Sequence, residues 1–383
     1  MVQKQLYQPN DLIAGHYRVI KKIGTGGMNS TIYLAQDIAI HEKEYFSLRN
    51  KYVAIKVINR DESITDDDWM KFLDECVTAT RVTNKKNIVQ TYDVVKSNND
   101  NTVSIFMEYI DGISLREYIE THGYLSLNDA LFYFQKILEG VKELHSFNDK
   151  IIHRDLKPEN ILLSKDLRNL KIIDFGISSV FTMVNKDNKL MFTNENVIYG
   201  TYPYICPDLL KLRGTNDDAK RASIISEQFD FYSLGVILYE MLAAEKPFYA
   251  KNYDKLEVIE LPLKYDLMVL SDINPHIPVA IENIIFRCMA SKPEDIKYRY
   301  ENINQIITDL NRYLNQPEKT VADHLLKPRN KRLFQIKGGF NIQGQKLREK
   351  FYEKTWFFSA ILITAFTVVI MAIIIICFHV FEW

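Results

Sequence analysis

Three short stretches of the sequence gather residue types able to handle a phosphorylated ligand. The first, Gly24-Thr25-Gly26-Gly27-Met28, follows a β-like run. Glycines there would let backbone N–H groups approach phosphate oxygens without a Cβ in the way, although such glycines also serve any tight turn. Strands rather than a helix follow the loop, which disfavours a dinucleotide-binding reading. The second stretch is Val53-Ala54-Ile55-Lys56, with Glu75 nineteen residues after the lysine on a helical pattern. That separation is too long for a local helical pair. It allows an ion pair between elements that would hold the Lys56 ammonium against the α and β phosphates of a nucleotide. The third, 152–162, reads IHRDLKPENIL and carries Asp155, Lys157 and Asn160; Asp174-Phe175-Gly176 begins fourteen residues after Asn160. Moving a phosphoryl group is mostly positioning and charge neutralisation, so cations and metal-ligating oxygens must converge.

The elements around these residues change character along the chain. Residues 17–57 alternate short β-like runs (YRVIKKIG, TIYLAQD, YVAIKVI) around the glycine turn, which predicts an antiparallel sheet, with 38–51 as a loop. Residues 66–83 read as a helix and 103–110 (VSIFMEYI) as a strand. Long helical patterns follow at 127–147, 229–244, 279–289 and 303–314. A small β-rich lobe and a larger helical lobe are implied, an α+β class, with a cleft near 108–112.

The third stretch resembles the catalytic loop of eukaryotic-type protein kinases, in particular the Ser/Thr branch. The resemblance implies that Asp155 accepts the proton of a substrate hydroxyl, that Lys157 neutralises the γ-phosphate and that Asn160 and Asp174 bind Mg2+, with Mn2+ as an alternative. It extends over about 12–312. Gly200-Thr201-Tyr202-Pro203-Tyr204 and Cys206-Pro207-Asp208 are similar to the family's substrate-docking segment, Asp230 to its central-helix acid and Arg299 to the partner of Asp208. Met107, Glu108 and Ile110 resemble the hinge that meets adenine, with Met107 as gatekeeper. Ala54 and Leu162 would sandwich the ring, and Ile23, Gly24, Gly26, Gly27 and Ile32 would cover the ATP phosphates and sugar. Departures are Asn29 or Ser30 for the third loop glycine, Cys-Pro-Asp for Ala-Pro-Glu, and an insertion at 211–226. Arg154 before Asp155 marks family members whose activation loop is ordered by a phosphate; Thr193 is the first candidate for autophosphorylation, with Ser178, Ser179 and Thr182 in reserve. Tyrosine specificity conflicts with Lys157, and a small-molecule kinase conflicts with the docking segments. A catalytically silent scaffold is the competing binding-protein reading, countered by the residues held at 56, 75, 155, 160 and 174.

Charge and hydropathy divide the tail from the rest. The formal net charge is −1, yet residues 312–355 carry eleven Lys/Arg against four Asp/Glu. The 23 residues of 356–378 contain no charge, and as a helix would span about 35 Å, enough for a ~30 Å hydrocarbon core. Basic residues on its N-terminal side put 1–355 in the cytoplasm, the single span in the cell membrane and 379–383 outside. The expected order is therefore a tail (1–11), a kinase domain (12–312), a basic linker (313–355), a transmembrane helix (356–378) and a short end (379–383). Such an anchor is similar to that of bacterial membrane-bound Ser/Thr kinases, although five residues leave no room for their extracellular PASTA repeats. The expected partners are protein substrates, the membrane and a second copy for trans-autophosphorylation; no nucleic acid is implied. The linker could equally be an ordinary solvated one. The N-terminus has no apolar segment of the secretory kind. Cys76, Cys206, Cys288 and Cys377 lack metal-ligand spacing and fit reduced thiols.

Overall fold

Alternating β-branched and aromatic residues build the first part of the chain as an antiparallel sheet. Its strands are β1 (Leu12–Ile13), β2 (Tyr17–Gly26), β3 (Ser30–Asp37), β4 (Tyr52–Asn59), β5 (Thr91–Ser97) and β6 (Thr102–Glu108), in spatial order β1-β2-β3-β4-β6-β5. The period of two sorts them cleanly. One face packs Tyr17, Val19, Tyr33, Ala35, Val53, Ile55, Val57 and Phe106. The other packs Ala54, Ile58, Ile105 and Met107 against Trp69, Phe72, Leu73 and Cys76 of α1 (Asp66–Ala79). The computed structural model describes residues 6–26, 29–39, 52–61, 64–97, 101–148, 150–175, 182–184, 190–192, 202–212, 224, 226–248, 255–268, 270–274 and 276–316.

Two expectations shift here. The α1 helix ends at Ala79 rather than at 83, because Thr80, Arg81 and Val82 turn back onto Val77, Thr78 and Ala79 through tight three-residue bonds. The strand expected over 103–110 is β6, which stops at Glu108. Edge strand β5 was not expected, since TYDVVKS is polar on the face that does not meet the core.

A second sheet, β7 (Gly112–Ser114), β8 (Ile161–Ser164) and β9 (Leu170–Ile172), joins the lobes. Gly112 is required there: a Cβ would lie 1.8 Å from the Leu163 carbonyl oxygen. The helical part contains α2 (Leu115–His122), α3 (Leu127–His145), α4 (Gln228–Ala243), α5 (Lys255–Lys264), α6 (Leu270–Ile273), α7 (Val279–Met289) and α8 (Ile303–Asn315). The four long helices lie within two residues of their expected bounds. Eight-residue α2 and Pro262-containing α5 were too short or too interrupted to show in the periodicity. Every residue of α4 from Phe229 to Leu242 is buried. A helix that is apolar all round belongs at the centre of a core, and α3, α7 and the 202–204 turn pack around it. The observed architecture is the expected bilobal α+β fold.

A short hairpin, β10 (Thr182–Val184) with β11 (Leu190–Phe192), follows β9. The chain divides into two units, Met1–Phe334 and Gln335–Trp383. The second unit, with the 356–378 run, lies outside the described residues, as do Gly27, Ser178, Ser179 and Thr193. Among the described residues no helix is long and apolar enough to cross a membrane.

Candidate active site

The glycine turn and the lysine are brought together by strand register. Gly24 lies opposite Ile32 and Gly26 opposite Ser30, across two bulges in the β2–β3 pair. Ile32 in turn faces Lys56, and Ala54 faces Met107. Since opposite residues share a face, Ile32, Ala54, Lys56 and Met107 line the same side of the sheet. Ile23 stays 41% exposed beside the turn. A Cβ on Gly26 would stand 2.5 Å from the fully buried Ser30 Oγ, so a side chain here would require the Ser30 hydroxyl to move.

At the end of that face the β6 strand runs into the segment joining the lobes. The Glu108 N–H donates to the Gln90 carbonyl at 2.9 Å, and its carboxylate pairs with Lys171 at 3.0 Å. What Glu108 can offer a ligand is therefore its own carbonyl. Ile110 follows on this connection, and Leu162 lies across it on β8, paired with Ser114.

The catalytic-loop residues 152–160 are held from below by one acid. Asp230, fully buried on α4, accepts the N–H groups of His153 at 2.9 Å and Arg154 at 2.8 Å, and meets His145 Nε2 at 2.7 Å. Burial alone would raise its pKa; the His145 hydrogen bond and both histidines outweigh this and hold it below the usual carboxylate range. The clamp holds Arg154 at φ 65°, a conformation that costs a non-glycine residue about 1 kcal/mol or more. Above it, Lys157 Nζ lies 2.9 and 2.7 Å from the two Asp155 oxygens. The Asn160 amide nitrogen donates to the Asp155 carbonyl at 2.7 Å and to Oδ2 at 3.0 Å. Ile173 N bonds Asn160 O at 2.9 Å, tying this loop to the one that carries Asp174.

The expected ion pair of Lys56 is corrected. Lys56 Nζ pairs with Asp174 Oδ2 at 2.7 Å, while Glu75 Oε1 lies 3.5 Å from Arg154 Nη1. The reason is geometric: Asp174, at φ 60°, turns its carboxylate toward the ammonium, and the clamped Arg154 backbone sends its guanidinium toward α1. Desolvation would raise the Asp174 pKa, but Lys56 first and then Lys157 and His153 depress it, so the carboxylate is ionised. Phe175, 2% exposed, is buried in the cluster that contains Phe72, Cys76 and Met107.

The donor set fits a hard divalent cation. With the Asn160 nitrogen committed to Asp155, its amide oxygen is the atom left to offer, and Asp174 supplies an ionised carboxylate. Magnesium is usually held by such a pair of oxygens together with water and substrate phosphates.

The ion pair expected between Arg299 and Asp208 is present, joined by one from Lys211 at 2.8 Å that was not expected. A cluster not foreseen joins Arg116, Glu159, Tyr204 and Glu240. A capping box of Ser114 and Glu117 opens α2, but the partners of Arg116 lie 43, 88 and 124 residues away.

Comparison with known proteins agrees with this geometry. Residues 17–303 match the family described as "Protein kinase domain". A Mycoplasma pneumoniae protein whose assigned name is that of a serine/threonine-protein kinase is 36% identical over 95% of this chain and 94% of its own length. The serine/threonine-protein kinase PrkC of Bacillus subtilis is 29% identical over 78% of this chain and 40% of its own. The kinase domain of Mycobacterium tuberculosis PknI superposes with a TM-score of 0.57 at 19% identity, over 80% of this chain and 99% of that one, a likeness of fold. The chain therefore belongs to the protein kinase domain family and is a serine/threonine protein kinase.

Proposed function

We propose that the chain moves the γ-phosphoryl group of ATP to a protein hydroxyl through the residues gathered in 153–174. The observation that carries this is the convergence on Asp155 of Lys157 and Asn160, in a loop held by Asp230. Asp155 orients the acceptor hydroxyl and takes its proton as the oxygen–phosphorus bond forms and the bond to the ADP oxygen breaks. Lys157 lies beside the transferring group. Lys56 holds the α and β phosphates, and Ile23, Gly24, Gly26, Gly27 and Ile32 cover them. Ala54, Leu162, Met107 and the backbone of Glu108 and Ile110 receive adenine. Asp174 and Asn160 would hold Mg2+ or Mn2+, which when bound neutralises charge on the phosphoryl oxygens. Incubation of the chain with labelled ATP, magnesium and a generic basic protein tests the reading. Label should appear as phosphoserine or phosphothreonine; its absence with folded protein, or label on tyrosine alone, would refute it.

The kinase domain is assigned to 12–312, although α8 continues to Asn315. The 356–378 run is assigned as a membrane span with the kinase in the cytoplasm, and the linker cations would add about 1 kcal/mol each where they approach anionic lipid. Protease added to intact cells should spare the kinase domain; its digestion would overturn that topology. Autophosphorylation is assigned first to Thr193, then to Ser178, Ser179 and Thr182, in trans between two copies. In support, Arg154 Nε is buried without a hydrogen-bond partner among the described residues and could receive a phosphate. Mass spectrometry should find phosphate in 174–208, and full activity of Thr193→Ala with an unmodified loop would refute the assignment.

A further inference from the structure

Arg116, the second residue of α2, sends its guanidinium into a pocket that the phosphotransfer residues do not use. Nε donates to Glu159 Oε1 at 2.8 Å, and Nη1 donates to Glu240 Oε1 at 2.7 Å. Nη2 donates to Glu240 Oε2 at 3.2 Å and to the Tyr204 hydroxyl, which donates in turn to Glu240. The Glu240 side chain is 2% exposed and that of Arg116 13%. Such a fork-on-carboxylate arrangement is matched by a planar guanidinium and not by an ammonium.

The walls come from four places: α2, the turn Pro158–Asn160, the turn Tyr202–Tyr204 and α4. Glu159 adjoins Asn160, whose amide bonds Asp155, so one wall belongs to the catalytic loop itself. Charge inside the pocket is already balanced, because Lys246 lies 5.8 Å over the Tyr204 ring and brings a second cation to the two carboxylates. The remaining acceptor, Glu159 Oε2, is enclosed without a partner among the described residues and does not face solvent.

We propose that Arg116 is a built-in occupant of a guanidinium-binding pocket beside the catalytic loop, and that by filling it the chain makes acceptor choice indifferent to arginine in the substrate. The same two carboxylates and hydroxyl, emptied of Arg116, would draw a guanidinium from the peptide instead. The inference rests on the chain phosphorylating peptides.

The test uses the full chain and pairs of acceptor peptides carrying arginine or its neutral isostere citrulline at each flanking position. For the unaltered chain, kcat/KM should differ by less than about threefold within every pair. Arg116→Ala should favour arginine by about tenfold or more at one position at least, expressed in KM. Methylguanidinium should raise the melting temperature of Arg116→Ala and leave that of the unaltered chain in place. Glu159→Gln should slow arginine and citrulline peptides alike. A tenfold arginine preference in the unaltered chain would overturn the proposal, whether or not Arg116→Ala folds. So would a loss in Glu159→Gln confined to arginine peptides, or a folded Arg116→Ala with neither arginine preference nor methylguanidinium response. Failure of the unaltered chain to phosphorylate any peptide would count against the activity itself, and the methylguanidinium melt would then decide the pocket alone.

Discussion

Replacing Asp230 by Asn removes one oxygen from a buried three-way junction and should be felt in both stability and rate. The carboxylate accepts two backbone N–H groups at 2.9 and 2.8 Å and meets His145 at 2.7 Å. An amide keeps one acceptor and turns its NH2 toward a donor. One hydrogen bond to a charged group is lost, about 1.5–3 kcal/mol, and one buried N–H is left unmet, about 1–3 kcal/mol. The expected loss is about 3–5 kcal/mol, the size seen when a buried ion pair is broken by removing one partner. Set against a total stability of about 5–15 kcal/mol, the variant should remain folded with a clearly lower urea midpoint. The loop would also lose what holds Arg154 at φ 65°, and Asp155 is the next residue. A displacement of about 1 Å at a reacting group can cost about 100-fold, so kcat should fall by that order. KM for ATP should stay within about threefold, since Lys56 and the glycine turn belong to another sheet. Urea unfolding and steady-state phosphotransfer measure the two effects. A variant within about 1 kcal/mol of the unaltered chain and with half its turnover would refute the clamp.

Asp155→Asn should retain ATP binding and lose about 10²–10⁴ in turnover, because the nucleotide contacts lie elsewhere; a tenth of normal turnover would refute the assignment of the base. Acid should destabilise the fold with a defined sign. Asp174, Asp208 and Asp230 are all depressed in the folded chain, so their contribution is complete above an unfolded pKa of about 3.9 and is lost as pH falls through the lower folded values. Denaturant midpoints should thus vary little with these groups above about pH 5 and drop steeply below about 4; a midpoint that rises with acid would contradict it. Burial pushes the thiols of Cys76 and Cys206 up to about 12, and that of Cys288 higher still. At pH 8 a disulfide reagent should modify these three only as fast as the chain unfolds, and rapid labelling of any of them in native protein would refute the packing around it.

The legible parts of this molecule are those whose partners are close in sequence or whose pattern repeats. Strands β2, β3 and β4 and the long helices were visible because apolar periods of two and 3.6 run through them. Asp155, Lys157, Asn160 and Asp174 were visible because their spacing is local. Residue pairs across elements were harder. Glu75 and Lys56 were matched by type and separation, yet the strand face that carries Lys56 delivers it to Asp174, and the Arg154 backbone decides where Glu75 points. Edge strand β5 has one partner strand and thus half the apolar signal of β4. Arg116 reads as one more charged residue on a short helix until its three partners are assembled from distant segments.

Helix α4 functions as a common datum for the parts around it. Asp230 at one end fixes the backbone at 153–154; Ser233, one turn on, holds the Tyr204 carbonyl at 2.8 Å; and Glu240, about 15 Å along the axis from Asp230, fixes Arg116. Each segment is gauged from the rod and none from its neighbour in sequence, so placement errors do not accumulate along the chain. Length can therefore change between the gauged points without detuning them.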